Sequence, residues 1–169
     1  NATQFQNFIY RINNNINNTA NDHYVLTADI DMSGINMMGA DTAFYGTLDG
    51  QGHKISNIYM NMNGVRNSFS SIMFRLCTTV IKNINFDKMT NISVNNSHFI
   101  YDNYGTTLEN LTFNSINIGV WSSNIYYLRG TAKNILMKAE DSYGYNGGVV
   151  STSFVTYCYA DNNIQTSID

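Results

Sequence analysis

The sequence predicts an all-β fold: a parallel β-helix of about six coils with three faces, capped at its N-terminal end by a short amphipathic helix. Asparagines recur at a nearly constant interval, at positions 57, 83, 110 and 134, each within a short apolar run. Side-chain alternation breaks at each of these asparagines. A helical pattern of apolar residues is confined to positions 1–16.

Residues 1–22 are predicted to form the cap helix and a linker, and residues 23–169 the β-helix, as one domain of a longer chain or assembly. Thr3 with Gln6 three positions later resembles a capping box. Because the open edge of a parallel β-helix favours aggregation, we expect a helix over residues 3–16 to cover the first coil. Its apolar face consists of Phe5, Phe8, Ile9, Ile12 and Ile16.

Side-chain parity within one repeat predicts a corner. In the first repeat Ile55, Ile58 and Met60 are the inward apolar positions, whereas strict alternation would place positions 55, 57 and 59 on one face. One strand therefore ends at Asn57 and another begins, with this asparagine in the left-handed conformation that its side chain tolerates. The corner residues are expected to form a structural ladder of Asp29, Asn57, Asn83, Asn110 and Asn134.

Stacking the repeats predicts columns of like side chains. Outside the sheet, Lys82, Glu109 and Lys133 alternate in charge, and each opposite pair on neighbouring strands contributes about 0.2–1 kcal/mol. The inward aliphatic column consists of Ile58, Ile84, Leu111 and Ile135, followed by a second inward column of Met60, Phe86, Phe113 and Met137.

The template extends in both directions. It fits again one interval before Asn57, with Asp29 at the corner, and one interval after Asn134, with Tyr157 at the corner. Each coil would therefore contain about 23–28 residues, a length typical of solenoid repeats. No capping segment follows Ala160, so other subunits or further chain are expected to cover the C-terminal end.

Charge and composition argue against several classes of partner. The net charge is −3, charged residues make up 12%, and the nine basic residues are scattered, so neither nucleic acid nor membrane insertion is expected. No cofactor or metal is expected, because the three histidines have no metal-ligand spacing with each other or with the cysteines. Cys77 and Cys158 are predicted to be free, since roughly 15 Å separates them and a disulfide requires Cα atoms within about 7 Å. Cys158 is expected in the inward column.

Two runs of the sequence resemble a known family. Tyr24–Gly34 has the form Y-x-L-x-x-D-I-D-x-S-G, and Phe44–Ile58 has the form F-x-G-x-L-D-G-x-G-H-x-I-x-N-I. These runs resemble GLUG-type, pectin-lyase-like β-helix repeats of bacterial surface proteins, adhesins and phage tail or fibre proteins. The specific motif covers residues 3–60. The resemblance implies a single-stranded right-handed parallel β-helix and a location that is extracellular, on a cell surface or on a virion.

The leading functional prediction is a non-enzymatic structural or attachment module of a phage virion (fibre, spike, or capsid or tail decoration) or of a bacterial adhesin. Such a module would present a rigid β-helix to a surface glycan or a protein receptor. Exposed aromatic side chains suit both partners, because they combine an apolar body with a polar edge. The candidate binding residues are Tyr59, Trp121, Tyr143, Tyr145 and Tyr159.

Two alternatives are a polysaccharide-degrading lyase or hydrolase and an architectural filler in a large assembly. No catalytic residue is assigned, since the acidic residues do not obviously converge; two carboxylates about 5–10 Å apart in a groove would favour glycosidase chemistry. Asp29 and Asp31 are interpreted as structural, with the corner parity separating them. The segment 49–52 is predicted to be a turn, because it lacks the lysine and helix of a phosphate-binding loop.

Overall fold

The computed structural model describes residues 1–37, 42–61, 70–92, 97–118, 123–126, 130–142, 148–150 and 159–168. The chain begins with an α-helix, α1 (Ala2–Asn13), and a 3₁₀ helix (Ile16–Asn21). The strands that follow are β1 (His23–Val25), β2 (Ile30–Asp31), β3 (Ala43–Phe44), β4 (Thr47–Asp49), β5 (Lys54–Ser56), β6 (Tyr59–Met60), β7 (Ser70–Cys77), β8 (Val80–Asn91), β9 (Ser97–Tyr104), β10 (Thr107–Ile118), β11 (Ser123–Tyr126), β12 (Thr131–Ser142), β13 (Gly148–Val150) and β14 (Tyr159–Ile168).

Helix α1 begins at Ala2, just before its predicted start at residue 3, because Asn1 caps it. The Asn1 side chain accepts a hydrogen bond from the Gln4 amide at 3.1 Å, and the Gln4 side chain accepts one from the Asn1 nitrogen at 2.8 Å. The capping box is therefore Asn1 with Gln4, and the predicted box of Thr3 with Gln6 is wrong. Three of the predicted apolar residues are buried in the core, namely Phe5, Ile9 and Ile12.

The strands form two sheets in which every described pair is parallel. The larger sheet has nine strands, with the order β1-β4-β8-β10-β12-β14; beside this path β2 pairs with β5, and β5 and β6 pair with β8. The smaller sheet has the order β13-β11-β9-β7-β3. Their inward side chains and those of α1 form one hydrophobic core, with Phe44, Phe86 and Phe113 among its fully buried members.

The predicted all-β, three-faced parallel β-helix is wrong. The structure is a mixed fold of parallel sheets with an N-terminal helix, and a closed or solenoid arrangement is not shown by the described residues. The asparagines at 83, 110 and 134 do not end strands, because β8, β10 and β12 each run through them for 12 residues. The two short strands predicted on either side of each asparagine are thus one continuous strand. The backbone bends at all three asparagines, which stand side by side in register. Strand pairing therefore continues before and after the bend.

The parity break itself is confirmed. Asn57, Asn83, Asn110 and Asn134 all have left-handed backbone, with φ between 53° and 57°. In β10 the side chains on either side of Asn110 change face, so that residues 108, 111 and 113 are all buried. Stacking is also confirmed for the last three repeats, in which Leu111 pairs with both Ile84 and Ile135.

The first repeat has a different register from the predicted one. Ile55 pairs with Phe86, and Ser56 with Asp87, so Asn57 follows that pair and does not stand beside Asn83. Ile58 and Met60 therefore do not join the columns assigned to them: Met60 pairs with Asn91. All three predicted inward side chains of this repeat are nevertheless fully buried.

The predicted corner at Tyr157 is also wrong. Ala160 pairs with Ala132 and Asp161 with Lys133, and a register shift then brings Ile164 opposite Ile135. The position opposite Asn134 consequently falls at residues 162–163. Tyr157 and Cys158 lie outside the described residues, whereas Cys77 is a free, half-buried thiol as predicted.

Candidate functional site

A groove lies at the N-terminal end of the larger sheet, between one side of α1 and the chain from Tyr24 to Ile30. Its volume is about 430 Å³, within the range of roughly 300–1,000 Å³ that ligand sites occupy. The helix contributes Phe5 and Phe8 together with polar side chains, and the strand side contributes Leu26 and Ile30. The remaining lining residues are Asn1, Gln4, Asn7, Arg11, Val25, Thr27, Ala28 and Leu48.

The helix and the strand segment run in opposite directions along this groove. The Phe8 ring lies 4.5 Å from the Tyr24 ring, and Arg11 lines the groove about one turn beyond Phe8, which places the C-terminal part of α1 near the start of the segment. At the other end, Asn1 and Gln4 line a shallow hollow together with Asp29 and Asp31. A cation therefore lines one end of the groove, and two carboxylates line the hollow that adjoins its other end.

An aromatic cluster closes the Arg11 end of the groove. The Phe8 ring lies 4.5 Å from the Tyr24 ring and 5.8 Å from the Phe44 ring, edge to face in both cases. Burial, and then the negative charge of Asp22, raise the pKa of Tyr24. Its hydroxyl donates to the Thr19 carbonyl at 3.0 Å. This bond fixes the Tyr24 side chain, whose ring forms one side of the groove.

Asp31 is held in its charged form by hydrogen bonds. Its Oδ1 accepts from Nδ2 of Asn57 at 2.8 Å and from the hydroxyl and amide of Ser33 at 2.6 and 3.0 Å. These bonds, led by that from Asn57, lower the pKa of Asp31 from 3.8 to about 2. The carboxylate is exposed and fully ionised at neutral pH.

Asp29 joins the same face, which corrects the prediction that the corner parity separates it from Asp31. The two carboxylates are exposed on either side of the buried Ile30. Oδ1 of Asp29 accepts from the Lys54 amide at 3.0 Å and lies 3.1 Å from Nδ1 of His53. The bond from Lys54, followed by that from His53, lowers the pKa of Asp29. Neither carboxyl group therefore retains the proton that a general acid needs at neutral pH.

The predicted amide ladder forms between the last three repeats. Nδ2 of Asn134 donates to Oδ1 of Asn110 at 2.8 Å, and Nδ2 of Asn110 donates to Oδ1 of Asn83 at 2.9 Å. Nδ2 of Asn83 then donates to Oδ1 of Asp49 at 3.0 Å. The ladder thus ends on an aspartate of β4, and it does not include Asn57.

Asn57 belongs to a separate, shorter step. Its Nδ2 donates to Asp31, as described above, and Asp29, which was predicted to stand at this corner, bonds instead to the chain at residues 53–54. A third step of this type joins Nδ2 of Asn114 to Oδ1 of Asp87 at 2.8 Å. Aspartate therefore accepts at the N-terminal end of each short ladder.

Alternating charges follow the same sheet. Glu109 pairs in register with Lys82 and Lys133, as predicted, and its Oε1 lies 3.8 Å from Nζ of Lys133. Nζ of Lys82 lies 3.3 Å from Oδ2 of Asp49. By register Asp161 occupies the next position of the row, beside Lys133. This row ties neighbouring strands together on the outer face.

The candidate binding aromatics do not come together in the described part of the chain. Tyr59 is 38% exposed and pairs with Thr90. Tyr159 begins β14 and pairs with Thr131, so it does not occupy the outward column, shared with Tyr59, that was predicted for it. Trp121, Tyr143 and Tyr145 lie outside the described residues. The structure adds two aromatics that the sequence patterns did not single out, Tyr10 and Tyr45, which are 61% and 47% exposed.

The segment 49–52 forms the predicted turn, with left-handed backbone at Gln51 and Gly52. Within the described ranges no three His, Cys, Asp or Glu side chains stand close enough together to hold a metal ion. Neither described helix has the length and apolar character needed to cross a bilayer.

The groove was missed by sequence reasoning. Besides Phe5 of the buried stripe, its helical side includes Gln4, Phe8 and Arg11, which flank that stripe at helical spacing. That second stripe was the available signal, but the pattern gives no indication of what faces it. Asp31 also precedes Asn57 by one repeat interval, a spacing that would have identified its partner.

Comparisons with protein-family models, with curated proteins and with solved structures found no match for this chain. The resemblance to GLUG-type repeats therefore stays a prediction.

Proposed function

We propose that this chain is a non-enzymatic structural or attachment module, in a phage virion or a bacterial surface adhesin, that presents a rigid parallel-sheet surface to a glycan or protein partner. The observation that supports it most is the ladder from Asn134 through Asn110 and Asn83 to Asp49. These polar side chains on the outer face join neighbouring strands. Such bonds stiffen the surface of the sheet and fix the register between its strands.

The charge row supports the same conclusion. Asp49, Lys82, Glu109 and Lys133 lie in ion pairs or in register with opposite charges on adjacent strands. Such pairing holds these charges in fixed positions, as an attachment surface requires, and keeps the outer face polar. The proposed location is extracellular, on a cell surface or on a virion. The proposed contact for other subunits or further chain is the edge of β14 that no described strand covers.

The enzyme alternative, polysaccharide cleavage, receives less support from the described carboxylates. Asp29 and Asp31 share one face, but hydrogen bonds lower both pKa values, so the pair contains no proton donor at neutral pH. Their bonds to the Lys54 amide and to Asn57 and Ser33 are those of residues that hold turns and strands together.

Incubating the purified chain with a panel of bacterial surface polysaccharides tests the proposal. Binding is measured on immobilised glycans and intact cells, and cleavage by the release of reducing ends and unsaturated products. We expect retention on at least one surface with no product above the buffer control. Product release that falls in the Asp29→Asn or Asp31→Asn variant would contradict the proposal.

A further inference from the structure

Strand β1 forms an edge of the larger sheet, and part of its backbone faces away from its neighbour β4. The Leu26 amide donates to the Asp49 carbonyl at 2.9 Å, and the Thr47 amide donates to the Asp22 carbonyl at 3.2 Å. Because successive peptide groups point to opposite sides of a strand, those of His23 and Val25 face away from β4. In the part of the chain that the structure describes, β1 pairs with β4 alone. This edge is therefore open to a further strand.

The groove beside this edge has the length of a short extended peptide. From Asn1 to Arg11, α1 extends about 15 Å at a rise of 1.5 Å per residue. An extended segment of four to five residues covers the same length at about 3.3 Å per residue. Alternate side chains of such a segment would meet the apolar surface formed by Phe8, Tyr24 and Val25, which stay partly exposed beside the buried Phe5 and Leu26.

The two ends of the groove differ in charge. Asp29 and Asp31 are exposed and ionised at one end, and Arg11 lines the other. A segment with a basic residue near the two carboxylates would complement the first end, and an acidic residue would complement the second. These charges select the register of the peptide, whereas backbone pairing with β1 supplies affinity without regard to sequence.

We infer that the groove between α1 and β1 binds an extended segment of a partner protein as an added strand on the free edge of β1, with a lysine or arginine beside Asp29 and Asp31. This inference rests on the proposed attachment function and deepens it, since it names the kind of partner. The partner segment has alternating apolar residues and a charge of each sign at its ends.

Fluorescein-labelled peptides test the inference by fluorescence anisotropy. The probes are Lys-Val-Thr-Val-Thr-Val-Glu and its reversed sequence, which place the lysine near the carboxylates in antiparallel and parallel pairing respectively. The control peptide carries glutamate at both ends. We expect one of the two probes to bind, and the control to bind at least about tenfold more weakly.

Two variants of one exposed residue separate strand addition from other binding. Val25→Pro removes an amide that faces away from β4 and blocks a further strand, whereas Val25→Thr keeps the amide. We expect Val25→Pro to weaken probe binding at least about tenfold, and Val25→Thr, which changes the groove lining but keeps the amide, to weaken it much less. Asp29→Asn, which keeps the acceptor for the Lys54 amide, should weaken probe binding by about threefold to tenfold and should not weaken binding of the control peptide, whose glutamate the Asp29 charge repels.

Equal binding to a folded Val25→Pro protein would overturn the inference. The inference would also be overturned if neither probe bound the folded wild-type chain at a protein concentration of about 1 mM. The same holds if no probe binds and the Val25→Pro or Asp29→Asn variant abolishes self-association of the chain. Surface attachment without probe binding overturns this inference alone. Probe binding in a protein that cleaves polysaccharides instead contradicts the proposed function.

Discussion

Asn110 and Asn83 form one step of an amide ladder, in which Nδ2 of Asn110 donates to Oδ1 of Asn83 at 2.9 Å while both residues hold left-handed backbone. The same asparagine thus satisfies two requirements at once. Its side chain joins neighbouring strands, and its tolerance of positive φ lets the strand bend without losing pairing on either side. Parity therefore changes at the same place in β8, β10 and β12, which keeps the apolar side chains of all three strands in the core.

Replacing the central ladder residue should separate these two contributions. We expect Asn110→Ala to lower the free energy of unfolding by about 2–3 kcal/mol, because it loses two amide bonds and places a Cβ-bearing residue without a polar side chain in left-handed backbone. Asn110→Gly keeps the backbone conformation and should cost less than Asn110→Ala. Urea denaturation measures both, and an equal or larger loss in Asn110→Gly would contradict the assignment of backbone strain.

Gly50 should be intolerant of any side chain. A Cβ at this position would lie 2.3 Å from both the Asn83 carbonyl oxygen and Cγ1 of Ile84, which are fixed by the neighbouring strand. We expect Gly50→Ala to lower the unfolding free energy by about 3 kcal/mol or to prevent folding. Gly34→Ala is the matched control: at φ +79° with open space around it, this substitution should cost only about 1–2 kcal/mol. Thermal denaturation that ranks the two variants in the opposite order would contradict the close approach of the turn to β8.

Asp31 should contribute to acid sensitivity. Its pKa is lowered from 3.8 to about 2, so the folded state binds fewer protons than the unfolded state in this interval. The contribution of Asp31 to the free energy of unfolding is complete above pH 3.8 and is lost as the pH falls towards about 2. The carboxyl carbon of Asp31, followed by NMR, should titrate with a midpoint near 2, and Asn57→Gly should raise that midpoint. A midpoint that is the same in the folded Asn57→Gly protein would show that Asn57 does not hold the charge.

Reversing the charge of Glu109 should destabilise the sheet in a salt-dependent way. Glu109→Lys places three lysines in register on adjacent strands, and we expect a loss of about 1 kcal/mol at low salt. In 1 M salt the Debye length is about 3 Å, so the repulsion between these lysines is screened and the loss of stability should be smaller. Glu109→Gln removes the charge without adding a like one and should cost less. A loss in Glu109→Lys that does not change with salt would point to altered packing instead of charge.

The sequence allowed the local features of the repeat to be predicted, because each depends on a few neighbouring residues. Left-handed asparagines, buried apolar triplets and the charged row all follow from residue type and parity. Register between distant strands does not, because it depends on how much chain the connections use. The interval from Asn57 to Asn83 matches the other repeats, yet Asp49 and Gly50 occupy the place beside β8 that the repeat assigns to Ser56 and Asn57.

The candidate site was less predictable for a related reason. Helical periodicity identified the buried stripe of α1, and apart from Phe5 the helical residues that line the groove lie beside that stripe. Their role depends on the packing of the chain from Tyr24 to Ile30 beside α1 in the opposite direction. This is a tertiary relationship, and it produces no periodic pattern in the sequence. The Asp31–Asn57 contact, in contrast, was within reach of the repeat interval once a carboxylate is accepted as the first step of an amide ladder.

Disulfide cross-linking tests the central claim, the register of the parallel sheet, most directly. In a chain with both native cysteines replaced by serine, Asp49→Cys/Lys82→Cys places two thiols on paired positions about 4.8 Å apart, within disulfide reach. The repeat interval instead pairs position 82 with Ser56, which the structure places about five residues, or roughly 16 Å, farther along the strand. Mild oxidation followed by intact-mass measurement should show a disulfide in Asp49→Cys/Lys82→Cys and free thiols in Ser56→Cys/Lys82→Cys. The reverse result would contradict the register and the account of the ladder that depends on it.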